Sequence, residues 1–303
     1  MSRPARLRVG VVSAGRVGAV LGAALGRAGH TVTAAAAVSR ESLRRAEELL
    51  PGTPIRPPDE VAANADLVLL ALPDDRLAGM VRGLAAAGAL RPGQIVVHTS
   101  GANGVGVLQP AVDAGALALA MHPVMTFTGR AEDLHRVATC SFGVTAADGD
   151  EVAWSVAEAL VVEVGAEPVR IAEATRPLYH TALSHGANHL MTLVGDCADL
   201  LREAGVTAPG LAERVIAPLL SAALDNALRH GDRALTGPVA RGDSGTVAKH
   251  VDVLGEHAPD LLPAYRALAA RTADRAGAAG LLRPDQLPDV LAALDHEPPQ
   301  EQR

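Results

Sequence analysis

The chain has 303 residues, of which 49% are hydrophobic and 20% charged, enough apolar material for two folded domains and too little charge for a disordered chain. A formal net charge of −7 excludes the clustered Lys and Arg of a nucleic-acid-binding surface, and no apolar run reaches membrane-spanning length. Two cysteines, Cys140 and Cys197, suit a reduced cytoplasmic protein rather than a disulfide framework, and the N-terminal residues lead into a strand without a signal-peptide pattern.

The first apolar strand, Val9–Val12, runs into the small-residue turn Ser13-Ala14-Gly15-Arg16-Val17-Gly18. An Ala- and Leu-rich helix follows, closed by Gly29, and a second apolar run begins at Thr31. This is the strand–turn–helix–strand order of a dinucleotide-binding unit. Amides in the first turn of a helix lack internal partners and carry partial positive charge, so they hold a pyrophosphate if nothing bulky blocks its approach. Gly15 allows that approach and Gly18 lets helix and strand pack closely. Ser13 replaces the first glycine of G-x-G-x-x-G. The turn is therefore expected to keep residue 13 at negative φ, with the hydroxyl capping the helix or touching the pyrophosphate.

The second strand, Thr31–Val38, ends in Ser39-Arg40, where NAD-binding folds usually place a carboxylate. A hydroxyl and a guanidinium fit a 2′-phosphate, which predicts NADP(H) over NAD(H). The alternative is an N-cap serine and a solvated arginine opening the helix Glu41–Leu50. A short third strand is expected around Ile55. Asp66–Pro73 reads as a buried parallel strand, with a helix from about Leu77, and further strands are Gln94–His98 and Ala116–Met121. Ligands bind beyond the carboxyl ends of such strands. That rim gathers Ser13, Ser39 and Arg40, Asp74 and Asp75, Thr99 and Ser100, and His122 and Thr126, and places Leu72, Pro73 and Ser100 beside the cofactor. Ser141–Thr145, a helix from about Asp150, and Glu167–Ile171 extend the sheet.

From Glu173 the strand pattern stops. Arg176–Ala204 reads as one long helix in which Arg176, His180, Ser184 and Asn188 recur every four residues as a polar stripe. Leu211–Arg229 is a second helix. A loop rich in Gly and polar residues, Thr236–Thr246, follows, and then helices from about Thr246, Pro259 and Pro284. The tail His296–Arg303 is polar and expected to fray. The expected organisation is α/β: residues 1–172 a Rossmann domain, and residues 173–303 an all-α domain for substrate binding and dimerisation.

The motifs SAGRVG (Ser13–Gly18), HTSGA (His98–Ala102), MHPVMTF (Met121–Phe127), YHTALSHGANHL (Tyr179–Leu190) and LTGPVARGD (Leu235–Asp243) together resemble one bacterial family over nearly the whole chain. Its members are Rossmann-like proteins with a C-terminal helical domain of unknown function. The wider resemblance is to pyrroline-5-carboxylate reductases, ketopantoate reductases and the β-hydroxyacid dehydrogenases, whose helical domain is of the 6-phosphogluconate dehydrogenase C-terminal type. His122-Pro123 also resembles the His-Pro segment of prephenate and arogenate dehydrogenases. The loop Thr236–Thr246 lies where pyrroline-5-carboxylate reductases hold the substrate carboxylate. The resemblance further implies a homodimer formed through the helical domain.

Hydride transfer to a carbonyl or imine needs a nicotinamide, a proton donor and groups that bind the substrate's charge. The resemblance implies a lysine on the connecting helix, but the only lysine is Lys249, beyond the glycine-rich loop. An arginine is too basic to serve, whereas histidine titrates near working pH. His180 and His122 are therefore the candidate acids, with Asn188 holding the substrate oxygen as the resemblance implies. Arg241 is the candidate for a substrate carboxylate, with a salt bridge to Asp243 as the alternative. Ser100, Thr126, Ser184, Thr236 and Gly237 are expected to line the substrate. His180, His185 and His189 are spaced five and four apart without a completing Cys or Glu, so no metal site is expected. The expected function is NADP(H)-dependent reduction of a small anionic 2-oxo or imino acid. A non-catalytic NADP-binding sensor or structural protein is the alternative.

Overall fold

The computed structural model describes residues 6–297; residues 298–303 of the expected polar tail lie outside them. The chain forms two compact units, Met1–Gly186 and Ala187–Arg303. The division falls later than 172/173 because the first turns of the long helix pack on the strand ends of the first unit.

The first unit is built on a seven-stranded sheet of order β2-β1-β3-β4-β5-β6-β7. The strands are β1 (Arg8–Val12), β2 (Thr31–Ala36), β3 (Leu67–Leu70), β4 (Ile95–His98), β5 (Leu117–Pro123), β6 (Ser141–Thr145) and β7 (Glu167–Arg170). β1 to β5 are mutually parallel, β6 is antiparallel to β5, and β7 is parallel to β6. The carboxyl ends of β1, β3, β4 and β5 therefore share one rim. Strand order reverses at β1, whose neighbours are β2 and β3, and this is where a doubly wound sheet opens its ligand crevice. Helices α1 (Arg16–Arg27), α2 (Arg40–Leu49), α3 (Pro58–Ala63), α4 (Asp74–Ala86), α5 (Gln109–Asp113), α6 (Asp133–Val137) and α7 (Glu151–Glu163) connect the strands.

Period-two alternation explains how so few aromatics suffice. Leu67 and Leu69 point into one buried cluster with Val9, Val11, Leu21 and Leu160, while Val68 and Leu70 point into a second with Val61, Leu77 and Val81. Each strand thus glues helices to both faces, with aliphatic side chains small enough to interdigitate. The expected third strand at Ile55 is only a single bridge, Ala35 to Ile55. Pro54, Pro57 and Pro58 surround it and remove the amides a longer ladder would need.

The phosphate turn departs from expectation. Ser13 has φ +79°, the only described non-glycine residue in the left-handed region. The turn keeps the geometry a glycine would normally supply, and Ser13 bears the strain. Its hydroxyl does not cap α1, whose N-cap is Gly15 with no side-chain hydrogen bond. Gly18 is required by packing, since a Cβ there would lie 2.1 Å from the Ser13 carbonyl oxygen.

Helix α8 (Arg176–Glu203) begins in the first unit and ends in the second. The second unit continues with α9 (Leu211–His230), α10 (Gly237–Ala240), α11 (Ser244–His257), α12 (Leu262–Ala278) and α13 (Leu287–Asp295). Val247, Val251, Leu254, Ala273, Leu282 and Val290 form its core. Among the described residues, no helix is long and apolar enough to cross a membrane.

Gly18→Ala is expected to cost about 3 kcal/mol or more through overpacking against rigid backbone, whereas Gly15→Ala stays within about 1 kcal/mol. Urea unfolding of the two variants checks the contrast.

Candidate functional site

The site grows from three strand ends and the first turns of α8. His98 closes β4 and is fully buried. Its Nδ1 accepts the Ser100 amide at 3.2 Å and its Nε2–H donates to the Gly104 carbonyl at 2.9 Å, which folds residues 99–104 back over the strand end. Ser100 turns its hydroxyl inward, accepting from the Asn103 amide and from Asn103 Nδ2, both at 3.0 Å. It therefore shapes the loop through its acceptor side, while its own proton takes no part in these bonds. Glu173 braces the loop's far end by accepting from the amides of Val105 and Gly106 at 2.8 and 3.1 Å.

Arg176 opens α8 and is wholly buried, so it is no part of an exposed polar stripe. One guanidinium nitrogen donates to Thr145 Oγ1 at 2.7 Å and, more weakly, to the Gly143 carbonyl at 3.4 Å. The other donates to the Ser100 carbonyl at 2.8 Å. Its Nε has no partner, and no carboxylate pairs with it among the described residues. One side chain thus ties the β4 loop to β6. The helical spacing then brings Tyr179 and His180 to the same face as Arg176.

Tyr179 reaches β5, its hydroxyl 2.9 Å from Nδ1 of His122, with the two rings nearly perpendicular at 88° and centroids 5.8 Å apart. The His180 ring lies 6.3 Å from His122, also edge-on. Both imidazoles close on Gly101: a Cβ there would meet His180 Cδ2 at 2.6 Å and His122 Nε2 at 3.0 Å. Gly143 plays the same part for Tyr179, whose hydroxyl would be 2.3 Å from a Cβ at that position. Ser184 makes only a long 3.5 Å contact with His180 Nε2.

Burial, the nearby Arg176 cation and His180 hold His122 neutral down to about 4. Burial does the same for His98, to about 4, with Arg176 adding and the Gly104 bond opposing. Burial raises the Tyr179 phenol above its ordinary range. Arg176 is itself lowered by burial.

Ser13, Ala14, Gly15, Arg16, Val17 and Gly18 lie together at the end of β1, as expected, and Leu72, Pro73 and Thr126 lie on the same rim. Ser39 caps α2, accepting from the Ser42 amide at 3.1 Å, which is the alternative that its sequence left open. Arg40 opens the same helix and is exposed. Arg45, unremarked in the sequence, approaches Gly129 together with Arg16. None of Arg16, Arg40 and Arg45 is in an ion pair among the described residues. Asn188, Thr236, Gly237 and Arg241 belong to the second unit. There Thr236 precedes α10, Gly237 begins it at φ +92°, and Arg241 follows it, exposed. Asp243 caps α11 through the Thr246 amide at 3.0 Å and forms no ion pair with Arg241 among the described residues. No metal-holding group of His, Cys, Asp or Glu occurs among the described residues.

The cradle fits a dinucleotide pyrophosphate by its own geometry. Gly15 has an ordinary φ of −72°, and a Cβ there would meet only Ser13 Oγ at 3.6 Å. Nothing among the described residues demands a glycine there, and the space beside it is open to an approaching ligand. The first turn of α1 has neither a side-chain cap nor an acidic residue, which leaves its amides to an anion.

Because His98 and His122 are held neutral below the ordinary histidine value of 6.5, their native states bind fewer protons than the unfolded chain. That contribution is complete above about pH 6.5 and is lost as pH falls towards 4. Urea unfolding is expected to show a loss of about 2 kcal/mol between pH 7 and 5 from His98. The slope should shrink in His98→Gln.

Residues 1–123 match the Rossmann-like domain family, and residues 140–272 match the Domain of unknown function (DUF2520). No curated protein matches the chain in sequence. Among solved structures, a provisionally named NADP oxidoreductase from Bacteroides fragilis is similar at TM-score 0.72 and 20% identity, covering 89% of this chain and 98% of its own. A pyrroline carboxylate reductase from Plasmodium falciparum, solved with NADP bound, is similar at 0.58 and 10%, covering 95% and 98%. An imine reductase from Streptomyces aurantiacus is similar at 0.56 and 17%, covering 95% and 93%. At these identities the likeness is one of fold, and the chain is a Rossmann-like protein with a C-terminal DUF2520 domain.

Proposed function

We propose that this protein is an NADP(H)-dependent oxidoreductase of a small anionic 2-oxo or imino acid. The observation that carries the reading is the convergence of His122 and His180 on Gly101, beside a buried guanidinium that is in no ion pair among the described residues. A buried cation on which Glu173 and Asp74 act without forming an ion pair favours an anionic ligand nearby, and the imidazoles beside it can bind an oxygen or nitrogen and supply a proton. Bound at the cradle, the nicotinamide cofactor supplies a hydride.

The amides of the first turn of α1 would hold the pyrophosphate, with Gly15 allowing close contact. Ser39 is engaged in capping α2, so the preference for a 2′-phosphate rests on the charge of Arg40, reinforced by Arg16 and Arg45. A neutral His122 binds the substrate oxygen or nitrogen without acting as a charged acid. Proton transfer then falls to His180. The solved relatives named for NADP or for imine and pyrroline carboxylate reduction support this reading through their shared fold.

NADPH binding followed by fluorescence should be abolished by Gly15→Asp. NADPH oxidation should be detected on at least one of ketopantoate, pyrroline-5-carboxylate and other short 2-oxo acids, and His180→Asn should lower kcat by about 100-fold or more. Tight NADPH binding without turnover on any of these acids would instead favour a non-catalytic NADP sensor.

We propose further that the second unit pairs with a second copy of this chain. Helix α9 leaves Val215, Leu219, Leu224 and Leu228 at least half exposed, and its main neighbour is the short turn that follows it. The same unit has an apolar groove of about 350 Å³, lined by Leu193, Leu200, Leu254, Tyr265 and Leu268. Reciprocal seating of α9 in a two-fold dimer would cover both surfaces. Light scattering after size exclusion is expected to give twice the 30.9 kDa chain mass. Leu219→Glu should give the monomer.

A further inference from the structure

Tyr179 has no role in the chemistry above, yet the fold makes room for it at a glycine. Gly143 is the residue paired with His122 across β5 and β6, and only the missing Cβ admits the phenol there. The hydroxyl then meets Nδ1 of His122 at 2.9 Å. A neutral imidazole carries one proton, and the partner of one nitrogen decides which nitrogen holds it.

Two features orient this hydrogen bond. Two of the groups around the phenol are positive or donating: the Arg176 guanidinium lies 5.9 Å from the ring centroid, and the Gly143 amide acts on the phenol oxygen, with Cys140 the further neighbour. Among the described residues, Nδ1 of His122 is the one acceptor within reach of the phenol proton. The opposite arrangement, Nδ1–H donating to the phenol, would leave the hydroxyl proton of the half-buried Tyr179 without a partner among the described residues.

We propose that Tyr179 is a positioning residue: it donates to Nδ1 of His122 and thereby fixes the tautomer in which Nε2–H faces Gly101. His122 then offers a hydrogen-bond donor there, and the ligand group it takes is an acceptor, a carbonyl, imine or carboxylate. This divides the labour of the two histidines. His122 polarises the acceptor without giving up a proton, as neutral imidazoles do elsewhere, and His180 is the ring free to move one. The assignment rests on reading the Gly101 face as the substrate site, but the tautomer is a property of the chain alone.

The test is long-range nitrogen–proton NMR on the full chain labelled with nitrogen-15 at histidine, with His122 assigned by the signals that vanish in His122→Asn. The wild-type chain at pH 7 is expected to show His122 as the Nε2–H tautomer. In Tyr179→Phe the same ring should become a mixture of tautomers while the chain keeps its NADPH affinity. An Nδ1–H tautomer or an imidazolium in the wild-type chain would overturn the proposal, and so would an unchanged tautomer in a folded Tyr179→Phe variant. If Tyr179→Phe fails to fold, the wild-type tautomer decides alone. Where a substrate acid is turned over, Tyr179→Phe should lower kcat about tenfold with KM nearly unchanged. Absence of turnover on every acid counts against the oxidoreductase reading and leaves the tautomer measurement standing.

Discussion

A guanidinium buried without a carboxylate partner stands where the β4 loop, β6 and α8 meet. Removing such a cation from water is costly, and it persists only because its protons are taken up by fixed oxygens. The Ser100 carbonyl, the Gly143 carbonyl and the Thr145 hydroxyl do this for Arg176. The bonds tie a loop at one strand end to a strand two places along the sheet, and they hold the start of α8 against both. Burial keeps His98 and His122 neutral, and the Arg176 charge adds to this at a distance. The unpartnered Nε is the remaining imperfection, and such imperfections gather at functional sites.

Around that cation, glycines act as spaces for other side chains. Gly101 admits the two imidazoles, Gly143 the phenol of Tyr179, and Gly104 the carboxylate of Glu173, which would lie 2.0 Å from a Cβ. In each case the backbone is brought within contact distance of a polar side chain from a distant part of the chain. Gly15 differs, because no side chain fills its space. Gly18, two tenths of a turn short of a full helical turn further on, is filled from within, by the Ser13 carbonyl.

The second unit follows a different logic. Its core is a set of small and branched aliphatics from α10 to α13, with Leu200 of α8 packed against it. Helix α9 shares little in it. An amphipathic helix normally gains its stability from the apolar face it buries, so exposed leucines along α9 call for a further surface to cover them. The loop before α11, read in sequence as a carboxylate holder, is occupied with local structure: Asp243 caps a helix, and Gly237 supplies a left-handed turn.

Much was legible from local chemistry. The order of strands and helices, the phosphate turn at Ser13–Gly18 and the histidine at the end of β5 follow from periodicity, glycine placement and strand-end position. All three are properties of short stretches. The turn conformation of Ser13 was not legible, because the choice between strain in one residue and a different turn is made by the packing of Gly18 on its carbonyl. Arg176 read as one member of a polar stripe, since helical spacing alone cannot tell a solvated face from one buried on strand ends. Tyr179 carried no local signal, as its role comes from a hydrogen bond to a histidine 57 residues away. The sequence by itself determined a Rossmann-like sheet followed by helices. The tertiary structure decided which polar groups meet, because a hydrogen bond or a buried charge depends on distances between segments that only the folded chain brings together.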